Sequence, residues 1–412
     1  MALVNLREML HHAYRSRYAV GAFDIVSLDF LQAVIEAAEA RRAPVILNLV
    51  EHQFHLYDFE LLAAAAVCAG RRATVPVAIQ LDHATNVDSA VSGIRHGCNG
   101  VMIDGSELSF EDNVRLTREV VDMAHSCGVP VEAELGHVAH RVGDERPSSA
   151  DHPVLTSPEE AKRFQRQTKA DFLAVSIGNV HGQPAGPGQL DLTRLARIHA
   201  AVDVPLVIHG GSGLSDAEFG CLIDRGVAKI NYYTSLSQAA ARRMRGNAIE
   251  NRDGAYGTLV GGVRDVIRHE VERCLVLWRA AGKADAVLDD AAPWSEVEHL
   301  IIYNTAGGSD EPVPKMMAEG RSVLARIPGV RRVVTGRAVT KDAKYQYCWL
   351  VRFAHPNVIR TYRDHPDHVA FADGLFRPRA GNRISIDFTE VNDLTDRERG
   401  TTPAPIAGDA AG

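Results

Sequence analysis

No stretch of the 412 residues reaches the roughly 18 consecutive apolar positions of a membrane helix, so no membrane span is expected. Positive charge is in the minority. The 45 Lys and Arg against 52 Asp and Glu leave a net charge of −7, which argues against a general nucleic-acid binder and gives no membrane signal. Cysteine is sparse and shows no paired spacing: Cys68, Cys98, Cys127, Cys221, Cys274 and Cys348 are scattered. In a chain this long that pattern fits reduced thiols and a cytoplasmic home. The opening Met1-Ala2-Leu3-Val4-Asn5 lacks the charged start, apolar core and cleavage site of a secretory leader, so none is expected. There is no fixed-period sequence repeat either. The remaining balance, 46% hydrophobic and 24% charged, suits a soluble globular protein with a sizeable core. The length fits a barrel plus an appendage.

What is present is an alternation of short β-branched runs and amphipathic segments. An opening helix spans 6–18. Strands follow at 18–23, 44–50, 75–81, 100–103, 130–133, 171–177, 204–208 and 227–230, with helices between them and a helical region running to about 283. Ser27 is the expected N-cap of the helix at 28–42, and Ser157-Pro158-Glu159-Glu160 opens another with proline at its first position. Eight such repeats over about 280 residues predict an α/β fold, a closed (β/α)8 TIM barrel, better than an open doubly wound sheet. In that architecture chemistry gathers where the strands end. Asp24, Asp82, His83, Asp104, Glu134, His181, His209 and Asn231 all fall there. A long polar loop occupies 137–156.

From about Leu288 the texture changes. Asp289-Asp290-Ala291-Ala292-Pro293 reads as a linker. The order after it is strand (298–305), helix (312–326), strands (330–340 and 344–353), helix (355–364) and strand (383–391), a small α+β ferredoxin-like unit. Tyr345, Tyr347, Trp349, Val351 and Phe353 alternate onto one face. Two helices cover only one side of four strands. If the aromatic row lies on the uncovered side, a twofold partner is needed to bury it. The domain expectation is therefore barrel 1–285, linker 286–296, second domain 297–392, and a disordered tail 393–412.

Three neutral imidazoles from separate strands, His83, His181 and His209, make a three-ligand site with an open fourth position, the pattern of a catalytic zinc. Asp104 and Glu134 point into the same mouth, as partners of the ligands or as ligands of a displaced metal position. Asp82 directly precedes a ligand histidine and is a candidate general acid/base. Gly182, Gly210-Gly211-Ser212 and Asn231-Tyr232-Tyr233-Thr234 form a second cluster at the usual barrel phosphate site. Metal, phosphate pocket and acid/base together suggest making or breaking a C–C bond beside a carbonyl.

The segments LDHA (81–84), MIDGS (102–106), VEAELG (131–136), GNVHG (178–182), HGGSGL (209–214) and KINYYT (229–234) resemble, in order and spacing, class II ketose-bisphosphate aldolases, above all fructose- and tagatose-bisphosphate aldolases. The resemblance covers about 3–285. It implies zinc on His83, His181 and His209, and Asp82 acting on the C4 oxygen. It also implies that Gly182, Gly210, Gly211, Ser212, Asn231, Tyr232, Tyr233 and Thr234 hold dihydroxyacetone phosphate. Family members often also bind a monovalent cation, Na+ or K+, near the phosphate. Departures exist. Asp24 stands where Asn is usual, Val50-Glu51-His52 replaces Ser-Glu-Gly, and the mobile loop carries Ala139-His140 with acids only at Asp144 and Glu145. Those two acids are the candidates for the loop's proton-transfer carboxylate. Tyr232 and Tyr233 replace small residues, and the changes together shift the pocket away from the ordinary bisphosphate substrate.

The second domain resembles a stress-responsive dimeric α/β-barrel (Dabb) unit through His299, Gly329-Val330, the 345–353 strand and His365-Pro366-Asp367-His368. Such units usually pair sheet to sheet, which implies a homo-oligomer, dimer or tetramer. The expected partner is otherwise a small phosphorylated sugar. Two rivals stand beside the aldolase reading: a metal-dependent isomerase or hydrolase on a related sugar, and a catalytically impaired barrel with a ligand-binding or assembly role.

Overall fold

The computed structural model describes residues 2–139, 153–182, 190–306 and 312–389. Eight parallel strands close into a barrel in sequence order: β1 (Val20–Asp24), β2 (Val45–Val50), β3 (Val77–Ala84), β4 (Gly100–Ile103), β5 (Val131–Leu135), β6 (Phe172–Val175), β7 (Leu206–Ile208) and β8 (Val227–Tyr232). Every residue of these strands is buried. Helices cover the outside and side chains fill the inside, so the strands read as continuous apolar runs rather than alternating ones. The barrel expected from the eightfold alternation is the barrel observed.

The helices begin where short polar side chains cap them. Ser27 accepts the Phe30 N–H, Asp58 that of Leu61, Asn86 that of Ser89, Ser109 that of Asp112, Ser157 that of Glu160, and Asp191 that of Arg194. The helix after β8, Thr234–Glu250, differs: Tyr233 sits at its N-cap and makes no side-chain cap bond. No helix among the described residues is long and apolar enough to cross a membrane.

The second unit is a four-stranded antiparallel sheet in the order β10-β11-β9-β12, built from β9 (Val297–Thr305), β10 (Val330–Arg337), β11 (Tyr347–Phe353) and β12 (Ala380–Thr389). One helix was expected between β11 and β12, and there are two, Val358–Asp364 and Pro366–Phe371. Pro366 cannot continue the first helix, and it opens the second from its first turn. The expected linker 286–296 is not an open tether. A helix, Ala284–Asp290, covers its start, and the Trp294 N–H donates to Leu3 O.

The aromatic row lies on the opposite side from the one that would require a partner. Tyr347, Trp349, Val351 and Phe353 are buried beneath the helices, with Trp349 edge-on to Phe371 and Phe353 packed on Tyr362. Tyr345 precedes the strand. Register places Leu300, Ile302, Leu350, Ile384 and Ile386 together on the other face, and Ile384, Ile386 and Phe388 of β12 are 38%, 45% and 48% exposed.

The sheet unit docks on the barrel rim where the strands begin. Arg331 of β10 donates from Nε to Ile94 O and from Nη2 to Cys98 O, at the end of the helix Val87–His96, and pairs with Glu296. His355 packs on Trp294 and fills the space over Gly128, where an added Cβ would lie 2.3 Å from the imidazole.

Candidate active site

Adjacent residues of a strand point to opposite faces. Asp82 and His83 nevertheless both line the same cleft. The reason is local: the β3–β4 register slips between Leu81 and Ala84, and His83 takes φ +51°, a left-handed conformation unusual for a side-chain-bearing residue. This bulge turns both side chains into the mouth. Backbone strain of this kind gathers at functional sites.

His83, His181 and His209 come together, with candidate ligand nitrogens within 4.8 Å of one another. The outer nitrogens are engaged. His83 Nδ1 lies 2.7 Å from Asp104 Oδ2, and His209 Nε2 lies 2.9 Å from Glu132 Oε1. A carboxylate only accepts, so each of these nitrogens carries the proton, and the tautomers follow from the network. The inner nitrogens, His83 Nε2 and His209 Nδ1, face each other at 3.0 Å, a separation that either a shared proton or a metal ion can bridge. Tetrahedral zinc–imidazole bonds of about 2.0–2.1 Å would hold such nitrogens about 3.3 Å apart, close to what is seen. The donor set therefore fits a metal. Asp104 and Glu134 also group with His83 as a second possible donor set. Asp104 is committed to orienting His83, as metal-binding histidines commonly require.

The charges are set by burial and by partners. Burial pushes Asp104 up, but the His83 and Ser106 hydrogen bonds outweigh it and hold its carboxyl well below the usual range. Burial would depress His209, yet the Glu132 bond and the Glu134 and Asp82 carboxylates raise it. Asp24 is raised well above its ordinary value by burial and by neighbouring Asp82.

The sequence reading did not single out Glu132 or Lys229. Lys229 Nζ donates to Glu132 Oε2 at 2.7 Å, Gln80 Nε2 donates to the same oxygen at 2.9 Å, and the Lys229 and Glu132 side chains are fully buried. A signal was available. Glu132 and Glu134 share strand parity, as do Lys229 and Asn231, so all four project toward the barrel interior.

Asp82 is 1% exposed. Its Oδ2 accepts from Asn48 Nδ2 at 3.2 Å and Asn231 Nδ2 at 2.9 Å, and its Oδ1 has no partner among the described residues. Asn231, expected in the phosphate cluster, thus also positions Asp82. Gly182, Gly210, Ser212, Tyr233 and Thr234 line the far end of the cleft. Gly210 takes φ +71°, and a Cβ there would lie 1.9 Å from Val180 O, so only glycine fits. Gly211 is buried and opens a single helical turn, Gly211–Gly213. Tyr232 is turned outward: its hydroxyl donates to Glu270 Oε1 at 2.6 Å and its ring packs edge-on against Trp278. Asp24, Val50, His52 and Gln53 form the near wall. Asp144, Glu145 and His140 lie outside the described residues.

Two family models match the chain. The family model described as fructose-bisphosphate aldolase class-II matches residues 4–283, and the stress responsive A/B barrel domain matches 297–390. A fructose-bisphosphate aldolase of Thermus caldophilus is 37% identical over 310 residues, spanning 68% of this chain and all of that protein. The crystal structure of the YdjI aldolase of Escherichia coli K12 superposes with a TM-score of 0.60 at 35% identity, covering 68% of this chain and 99% of the other. A putative fructose-1,6-bisphosphate aldolase from Coccidioides immitis does so with a TM-score of 0.63 at 32% identity, covering 68% and 98%.

Proposed function

The chain belongs to the class II fructose-bisphosphate aldolase family, an aldehyde-lyase family acting on phosphorylated sugars, and from that premise we propose a zinc-dependent aldolase that reversibly cleaves a phosphorylated ketose to dihydroxyacetone phosphate and an aldehyde. The observation that carries this reading is the convergence of His83, His181 and His209, with the inner nitrogens of His83 and His209 facing each other at 3.0 Å and Asp82 in the same cleft. His83, His181 and His209 would hold the ion, which supplies Lewis-acid polarisation of the ketose carbonyl. Asp104 and Glu132 keep two of those rings in the ligating tautomer.

Asp82 takes the proton from the C4 hydroxyl. The C3–C4 bond then breaks, the C4 oxygen becomes the aldehyde carbonyl, and the bonding pair moves toward C2. A proton delivered to C3 completes dihydroxyacetone phosphate, and Asp144 or Glu145 on the loop is the proposed carrier. Asn48 and Asn231 hold one oxygen of Asp82, leaving the other for the substrate. The phosphate would rest against Gly182, Gly210–Ser212 and the start of the helix Thr234–Glu250, where the N-cap residue Tyr233 makes no side-chain cap bond and Ser212 Oγ accepts the Ser235 N–H. A monovalent cation, Na+ or K+, would sit near that phosphate. A cytoplasmic home belongs to this reading.

The test is paired. Asp82→Ala is expected to cut turnover by roughly 10²–10⁴-fold while metal content stays at the wild-type level. His209→Ala is expected to lose both metal and activity. Full activity in a chelator-stripped wild type would defeat the metal assignment, and near-normal turnover in Asp82→Ala would move the proton transfer to another group.

A further inference from the structure

We infer that the aldehyde released from C4 onward carries no phosphate: the substrate is a ketose with a single phosphate, on its dihydroxyacetone end, and an uncharged polyhydroxy chain at the other. The inference rests on the aldolase reading and adds the substrate class to it.

The two ends of the cleft differ in chemistry. The β6–β8 end presents the glycines Gly182 and Gly210, the hydroxyl side chains of Ser212 and Thr234, Tyr233, and the start of the helix Thr234–Glu250. The near wall, from β1 to β3, presents Asp24 and Asp82 together with His52 and Gln53. Asp24 and Gln53 are tied together, Gln53 Nε2 donating to Asp24 Oδ2 at 3.4 Å. A phosphate dianion placed here would meet the Asp82 carboxylate and no Lys or Arg side chain among the described residues that line the cleft.

Hydrogen-bonding polarity points the same way. Gln53 Oε1 and Asp82 Oδ1 are buried acceptors on this wall with no donor among the described residues. A buried acceptor calls for a donor. A phosphate dianion offers only acceptors and would leave both unmet. A sugar hydroxyl both donates and accepts, so a row of hydroxyls answers this wall as a phosphate cannot. Lys229, which lies beneath the cleft, is bound to Glu132 and does not line it.

The experiment uses the full-length, metal-loaded enzyme in the condensation direction. Dihydroxyacetone phosphate is offered with D-glyceraldehyde or with D-glyceraldehyde 3-phosphate. We expect kcat/KM at least tenfold higher for the unphosphorylated acceptor. Gln53→Arg, which places a cation on the near wall, is expected to shift that ratio toward the phosphorylated acceptor, mainly through KM. Deuterium exchange at C3 of dihydroxyacetone phosphate, followed by NMR without any aldehyde, reports the aldolase half-reaction separately. Exchange together with preference for the phosphorylated acceptor would overturn this inference and leave the aldolase reading standing. Absence of exchange would remove both. Exchange with no turnover of three- to six-carbon polyhydroxy aldehydes, phosphorylated or not, would also overturn the inference.

Discussion

Glu132 serves Lys229, Gln80 and His209 with two oxygens, and its side chain is fully buried inside the barrel. Removing its charge leaves Lys229 buried without a counter-ion. Breaking a buried pair in this way typically costs about 3–5 kcal/mol, because the abandoned charge stays desolvated. Glu132→Gln is therefore expected to lower unfolding stability by roughly that amount in urea titrations, and to weaken metal binding about 10–100-fold through the lost hold on His209. A variant within 1 kcal/mol of wild type would mean that the barrel interior is wetter than its packing indicates. The histidines were legible in the sequence because each falls beside the end of an apolar run. The Glu132–Lys229 pair was not, because its members sit on strands 97 residues apart in sequence and only closure of the barrel brings them together.

At the scale of the element, strand ends were easier to read than strand irregularities. The runs around His209 and Asn231 announce themselves by β-branched composition and by the glycines that follow. The slip in β3 that aims both Asp82 and His83 into the cleft has no compositional mark, since it arises from one backbone angle and its register against β4. The aromatic row of β11 was legible as a strand face, but which side the helices would cover depends on how the chain crosses over, which periodicity does not encode. His355 offers a test of the docking element. Its Nδ1 accepts the Asn357 N–H, so the ring is neutral, and burial depresses its pKa below the ordinary 6.5. The unfolded chain therefore takes up a proton that the folded form resists. Stability from this contact is present in full above pH 6.5 and is lost as pH falls below it. Thermal unfolding of the wild type should weaken between pH 7.5 and 5.5 more than that of His355→Phe. Parallel curves for the two proteins would exclude the contact as the pH-sensitive element.

For the whole molecule, the open sheet face is the unresolved surface. Apolar patches of this breadth are avoided by soluble monomers, and a twofold partner presenting the same face would cover it. The expected assembly through the second domain thus rests on Leu300, Ile302, Leu350, Ile384, Ile386 and Phe388 rather than on the aromatic row. Ile386→Lys combined with Phe388→Lys should yield a smaller species by light scattering, with the metal content of the barrel unchanged. A wild-type monomer at micromolar concentration would refute the pairing.

Arg331 fastens the second domain to the rim where the strands begin, while the histidines stand at the rim where they end. The C-terminal unit is thus a pedestal. A support or fusion partner attached through that pedestal would stand at the rim away from the histidines and leave catalysis at the free end untouched, which makes the pedestal the natural handle for immobilising the enzyme.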